Sequence, residues 1–184
     1  GVVTVYKGTI GYKNGTWDCG NIYGAGCGTD TFERDDNNNG TIDEGESEHH
    51  NPMAGIVRGT TAIIVNGGHV LRNVYGGGSM GSVGTYTYDV NGLPTTCAAG
   101  TGNATINING GIIGLSGTDY GYVFGGPRGS LSETEFSASV RETQVNINTD
   151  ADVLGSVFGG GEAGIVKESV VVNMNGGEVT QDVY

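Results

Sequence analysis

The sequence predicts an all-β chain: a parallel β-solenoid, right-handed in the manner of a β-helix, with loop insertions. Three observations predict it. The segment from Ala54 to Tyr75 lies without a gap on the segment from Ala163 to Tyr184, matching at the Ala-Gly-Ile-Val start, the Asn-Gly-Gly turn and the final Val-Tyr. An aromatic-glycine signature recurs at Tyr23, Tyr75, Phe124 and Phe158, each followed by glycine. Glycine supplies 37 of the 184 residues, against about 7% in an average protein, without a collagen period. A fixed repeat of a few tens of residues is the mark of stacked units that cannot bury their apolar faces alone.

In the unit ending at Tyr184, strands are expected over Ile165–Val166, Val170–Met174 and 179–184, with glycines at the corners. These runs are short, alternating and β-branched. Corner glycines and asparagines tolerate the positive φ that tight turns need. Alternation places Val172, Met174 and Val183 toward the core and Asn173 outward. Tyr23, Tyr75, Phe124, Phe158 and Tyr184 should stack in one column. Asn66, Asn109, Asn148 and Asn175 share a corner position and should form a hydrogen-bonded ladder. The whole chain, 1–184, reads as one solenoid domain and as a piece of a longer repeat protein. Two insertions interrupt it, at 27–52 and at 82–100.

The formal charge is −12, with only eight Lys and Arg. Phosphate binding needs clustered cations, so nucleic acid and anionic membrane surfaces are not expected partners. No apolar stretch of the given sequence is long enough for a membrane-spanning helix. Cys19, Cys27 and Cys97 match no zinc spacing. In an extracellular chain one disulfide is expected, Cys19–Cys27 or Cys27–Cys97, with all three reduced as the other reading.

The first insertion contains the chemical motif of the chain. Asp35 to Glu46 fits the calcium-loop pattern D-x-[DN]-x-[DN]-G-x5-E in full. The ligands would be Asp35, Asn37, Asn39, the Thr41 carbonyl, Asp43 and Glu46, with Gly40 at the sharp turn. Ca²⁺ takes six to eight oxygens, and the last Glu supplies two at once. Asn at the third and fifth positions lowers the ligand charge and weakens affinity toward the extracellular range. Ile42 stands where such loops carry an apolar anchor. The twelve residues resemble the loop of EF-hand and dockerin-like calcium sites. The flanks are poor helices, so the resemblance extends to the loop and not to a helix–loop–helix domain. The alternative is an acidic insertion without a metal: eight of the chain's twenty acids lie between Asp30 and Glu48.

The segments Gly76–Gly81 and Gly159–Gly164 satisfy G-x-G-x-x-G, but no helix is expected after either, as a dinucleotide site requires. No Ser-His-Asp order or Cys-His pair stands out. The repeat resembles the glycine-rich β-helical repeats of large adhesin-like bacterial surface proteins. That resemblance implies a secreted or cell-surface location and a non-enzymatic structural or adhesive scaffold. Open solenoid ends with unpaired N–H and C=O groups are expected to self-associate into fibres, and host or matrix glycans and proteins are further expected partners. The alternative is a calcium-dependent polysaccharide lyase or glycoside hydrolase, because parallel β-helices also carry such enzymes. Arg58, Arg72, Arg128, Arg141 and Lys167 are scattered in sequence, which favours the scaffold.

Overall fold

A computed structural model describes residues 1–12, 19–28, 32–33, 35, 37–43, 48–49, 51–90, 93–117, 121–130 and 138–184. Every regular element among them is a strand. In chain order these are β1 (Val2–Val5), β2 (Thr9–Ile10), β3 (Ile22–Tyr23), β4 (Phe32–Glu33), β5 (Glu48–His49), β6 (Thr61–Val70), β7 (Val74–Tyr75), β8 (Tyr86–Tyr88) and β9 (Pro94–Cys97). They continue as β10 (Asn103–Ile113), β11 (Val123–Phe124), β12 (Ser139–Val140), β13 (Glu142–Val153), β14 (Val157–Phe158), β15 (Ile165–Val166), β16 (Val170–Met174) and β17 (Glu178–Val179).

The long strands form one parallel sheet in the order β1-β6-β10-β13-β16, with β2 beside β6 and β17 beside β13. The short aromatic strands form a second parallel sheet, β14-β11-β7-β3. A third face holds β12 beside β15, and it is extended by a parallel bridge between Val57 and Val83 and by the bond from Val83 N to the Ser139 carbonyl. Each pass of the chain visits the three faces in turn. Pairing between passes keeps equivalent residues side by side: Ile63 meets Ile106, Ile106 meets Val145, and Val145 meets Val172.

The alternation read from the sequence decides which side is buried. Ile63, Val65, Ile106, Ile108, Val145 and Ile147 are fully buried, and Val74, Val123 and Val157 meet them from the second sheet. The edge strand behaves differently. Met174 lies in register with buried Ile147 but is 46% exposed, and Val183 is 44% exposed beside buried Val157. The direction of alternation is the expected one, but among the described residues no strand packs on the far side of β16. Val172, nearer the middle of the edge strand, still packs partly on the core.

Both expected ladders are present. Ring centroids from Tyr23 to Tyr75, Phe124, Phe158 and Tyr184 step by 5.0, 5.1, 4.9 and 4.9 Å, with planes within 9° of each other. Asn109, Asn148 and Asn175 each donate from Nδ2 to the Oδ1 of the preceding member, at 2.8, 2.7 and 3.0 Å, starting from Asn66. A second ladder runs beside it, from Asn173 to Asn146 at 2.8 Å and from Asn146 to Asn107 at 2.7 Å.

Glycine enforces close approach where the aromatic strands end. Gly24, Gly76, Gly125 and Gly159 form a column whose amides donate to Tyr75, Phe124, Phe158 and Tyr184 carbonyls. A Cβ on Gly125 would overlap the Gly159 carbonyl and press on Thr143 Cβ at 3.0 Å. Thr143 Oγ1 in turn donates to the Gly159 carbonyl at 2.7 Å. Replacing Gly125 by Ala forces backbone atoms apart in the middle of the stack. The expected loss is about 1–3 kcal/mol, the scale of core overpacking, read as a lower urea midpoint in equilibrium unfolding. An unchanged midpoint would contradict the close packing described for this column.

Candidate functional site

The insertion after the first aromatic-glycine signature stands on a two-stranded antiparallel stem. β4 and β5 pair Phe32 with His49 and Glu33 with Glu48. The loop between them begins at Asp35, two residues beyond β4. The flanks of the candidate calcium loop are therefore strands, not helices.

Within the loop, side-chain oxygens and backbone amides face one another. Asp35 accepts from the amides of Asn39 at 3.1 Å and Gly40 at 2.7 Å. Asn37 Oδ1 accepts from the Asn39 amide at 3.0 Å. Asn39 Oδ1 accepts from the Thr41 amide at 2.8 Å and the Thr41 hydroxyl at 2.6 Å. Asp43 closes the ring, accepting from Asn39 Nδ2 at 2.6 Å, Thr41 Oγ1 at 3.1 Å and Asn37 Nδ2 at 3.3 Å. Gly40 has φ of +92° and Asn38 of +56°, which bend the chain so tightly that positions 1, 3, 5 and 9 of the motif converge.

Five of the six predicted ligand residues, Asp35, Asn37, Asn39, Thr41 and Asp43, are thus brought together. Glu46 lies outside the described residues. Ile42 is 48% exposed, so it does not anchor the loop in a core. The donor set is carboxylate and amide oxygen, the hard chemistry Ca²⁺ prefers. Among the described residues no group of three or more His, Cys, Asp or Glu gathers, because half of this set is Asn and Thr. Cys19, Cys27 and Cys97 are free thiols, so neither expected disulfide is formed.

Sequence reasoning missed two polar clusters. The first surrounds Tyr75, which is 2% exposed. Its hydroxyl donates to Glu162 at 2.7 Å and accepts from Asn73 Nδ2 at 3.0 Å. Arg128 stands 3.7 Å from the same carboxylate. Burial first, and the Glu162 carboxylate as well, push the Tyr75 hydroxyl far above the ordinary tyrosine range. A sequence signal existed: each Tyr of the column has Asn or Asp two residues earlier, Asn21, Asn73 and Asp182, all bonded to it. The Phe members have Tyr122 and Ser156 there instead.

The second cluster brings Arg141 to Asn103 Oδ1 at 2.7 Å, to Glu142 at 3.4 Å and to Glu168 at 4.0 Å. Beside it is a shallow pocket lined by Asn103, Glu142, Gln144, Ser169 and Val171. Here the stacking joins residues from three passes, which no local pattern announces.

No family model, no curated protein and no solved structure matches the chain.

The Asp43 carboxyl is held below the usual range by hydrogen bonds from Asn39, Asn37 and Thr41, in that order. A folded-state pKa below the unfolded value means that the loop's closure is favoured above that unfolded value and lost as pH falls through the folded one. A side-chain carboxyl NMR titration should give Asp43 a midpoint below 3.8, the ordinary aspartate value. A midpoint at or above 3.8 would show that the loop is not closed on Asp43 in solution.

Proposed function

We propose that this chain is the repeat body of a non-enzymatic structural or adhesive scaffold, secreted or displayed at the cell surface. Its coil is a right-handed parallel β-solenoid, its side loop is stapled by Ca²⁺, and its end passes associate into fibres. The observation that carries this reading is the continuity of stacked columns: aromatic, asparagine and glycine positions repeat from pass to pass. Such columns supply stiffness along the stack. Host or matrix glycans and proteins are the partners this function calls for.

In the loop, Asp35, Asn37, Asn39, the Thr41 carbonyl, Asp43 and Glu46 would hold the ion. Bound Ca²⁺ would supply charge compensation and a rigid fold to the acidic insertion. Asn37 and Asn39 must then turn their amide oxygens, not their nitrogens, toward the centre. Calorimetry with Ca²⁺ should show one site per chain, weakened by at least tenfold in Glu46→Gln, a loss of about 1.4 kcal/mol or more. Equal binding in both proteins, or none in either, rejects the site.

The end passes present apolar side chains. Val170, Val171, Met174 and Tyr184 are 47, 44, 46 and 66% exposed on one, and Val2 is 70% exposed on the other. Unpaired strand edges of this kind recruit further strands, and a head-to-tail contact that does not close makes filaments. Continuing the register places Val171 on Val2 and Tyr184 on Tyr23 of the next copy. Light scattering should show concentration-dependent growth that Met174→Lys suppresses without loss of β-structure by circular dichroism. A wild-type chain that stays monomeric at millimolar concentration sinks the assembly model.

A polysaccharide lyase or hydrolase is the second reading, favoured by the pocket beside Arg141 and Glu142. It is the weaker one because the Glu142 carboxylate is already engaged by Asn103 at 2.9 Å and by Arg141. Release of new sugar ends from acidic or neutral polysaccharides would reverse the order.

A further inference from the structure

The hairpin β8–β9 leaves the third face just after Val83 and carries Cys97 directly across from Tyr86. Tyr86 is 8% exposed, yet its hydroxyl has no hydrogen-bond partner. Buried polar groups are nearly always paired, so an orphan hydroxyl asks for an explanation. The Tyr86 ring and the Cys97 sulfur border the same point. A Cβ on Gly84 would lie 2.7 Å from Cys97 Sγ and 2.9 Å from Tyr86 Cε2. Arg141 borders the sulfur from the other side: a Cβ on Gly102 would meet Arg141 Cβ at 2.6 Å and Cys97 Sγ at 2.7 Å. Arg141 Nε is also buried without a hydrogen bond and lies 4.0 Å from a Glu168 carboxylate oxygen.

One buried donor without a partner, the Tyr86 phenol, thus stands beside the thiol. The thiol itself is a poor acceptor. It contacts the Thr101 hydroxyl at 3.4 Å and the Thr101 carbonyl at 3.7 Å. It is partly exposed, so a small oxidant reaches it. An oxygen atom added to Sγ would supply the acceptor that the phenol lacks. Burial first, and then Cys97 beside it, raise the Tyr86 hydroxyl well above the ordinary tyrosine range, so it stays protonated and remains a donor.

We propose that Cys97 is an oxidation site, where a hydroperoxide converts the thiol to a sulfenic acid held by Tyr86. Sulfur attacks the nearer peroxide oxygen, an S–O bond forms and the O–O bond breaks. Sulfur loses two electrons and the peroxide gains them. The leaving hydroxide takes up the thiol proton as water, or leaves as an alcohol from an alkyl peroxide. Partial exposure lets the oxidant reach the sulfur, and thiols reverse the product. Cys19 and Cys27 are more exposed than Cys97 and serve as internal controls, since simple accessibility would favour them.

The test uses the whole chain, reduced, then given a limiting dose of hydrogen peroxide in the presence of dimedone, with adducts mapped by mass spectrometry. Cys97 should carry several-fold more adduct than Cys19 or Cys27. Adduct yields that follow exposure, with Cys19 and Cys27 ahead, overturn the proposal, and this comparison needs no variant. In a second arm dimedone is added only after the peroxide is quenched. Tyr86→Phe should then lose most of the delayed Cys97 adduct while its circular dichroism stays that of the wild type. Undiminished delayed labelling in Tyr86→Phe would remove the phenol from the site.

Discussion

Successive passes of this chain pair in parallel and in register, so each residue has its own equivalent as neighbour at one strand spacing, about 4.8 Å. That constraint selects residue types by whether they tolerate themselves. Val and Ile pack on Val and Ile. Planar rings stack face over face with an offset, a geometry worth about 0.5–1.5 kcal/mol per pair beyond burial. An amide is both donor and acceptor, so Asn on Asn satisfies itself along the whole ladder. Like charges directly opposite each other repel, and the central runs 61–66, 104–109, 143–148 and 170–175 contain none. Asp152 beside Glu178 in the edge pass is one such pair, and Glu33 opposite Glu48 in the antiparallel stem is another.

The same constraint explains where the negative charge goes. Eight acids are concentrated between Asp30 and Glu48, in an insertion that leaves the sheets and returns through its own antiparallel stem. An insertion at a corner does not disturb the register on either side. Val123 pairs with Val74 below and Val157 above although they lie 49 and 34 positions away along the chain. The loop is then free to fold by local rules: Asx-type bonds from Asp35, Asn37 and Asn39 to amides two to five residues ahead, around Gly40.

Contacts between passes that are not neighbours give the stack its cross-links. Glu162 reaches the Tyr75 hydroxyl past the Phe124 position, where no hydroxyl competes. Arg141 ties the start of β10 to the starts of β13 and β16 through Asn103, Glu142 and Glu168. These groups lie at corners, where the in-register rule no longer applies and unlike residues can meet.

The sequence by itself determined the strands, their inward and outward faces, the aromatic and asparagine columns and the calcium-loop motif. Each of these depends on a short repeated pattern, and a repeat places its own equivalents in contact. Only the tertiary structure decided that Met174 and Val183 stay exposed, since an edge strand has a neighbour on one side. It also decided that the thiols remain unpaired and that Asn107, Asn146 and Asn173 form a second ladder. The pairing of Tyr75 with Glu162 and of Cys97 with Tyr86 has the same origin. Those partners come from insertions and corners of unequal length, and their meeting is set by how the passes stack in space, not by any spacing along the chain.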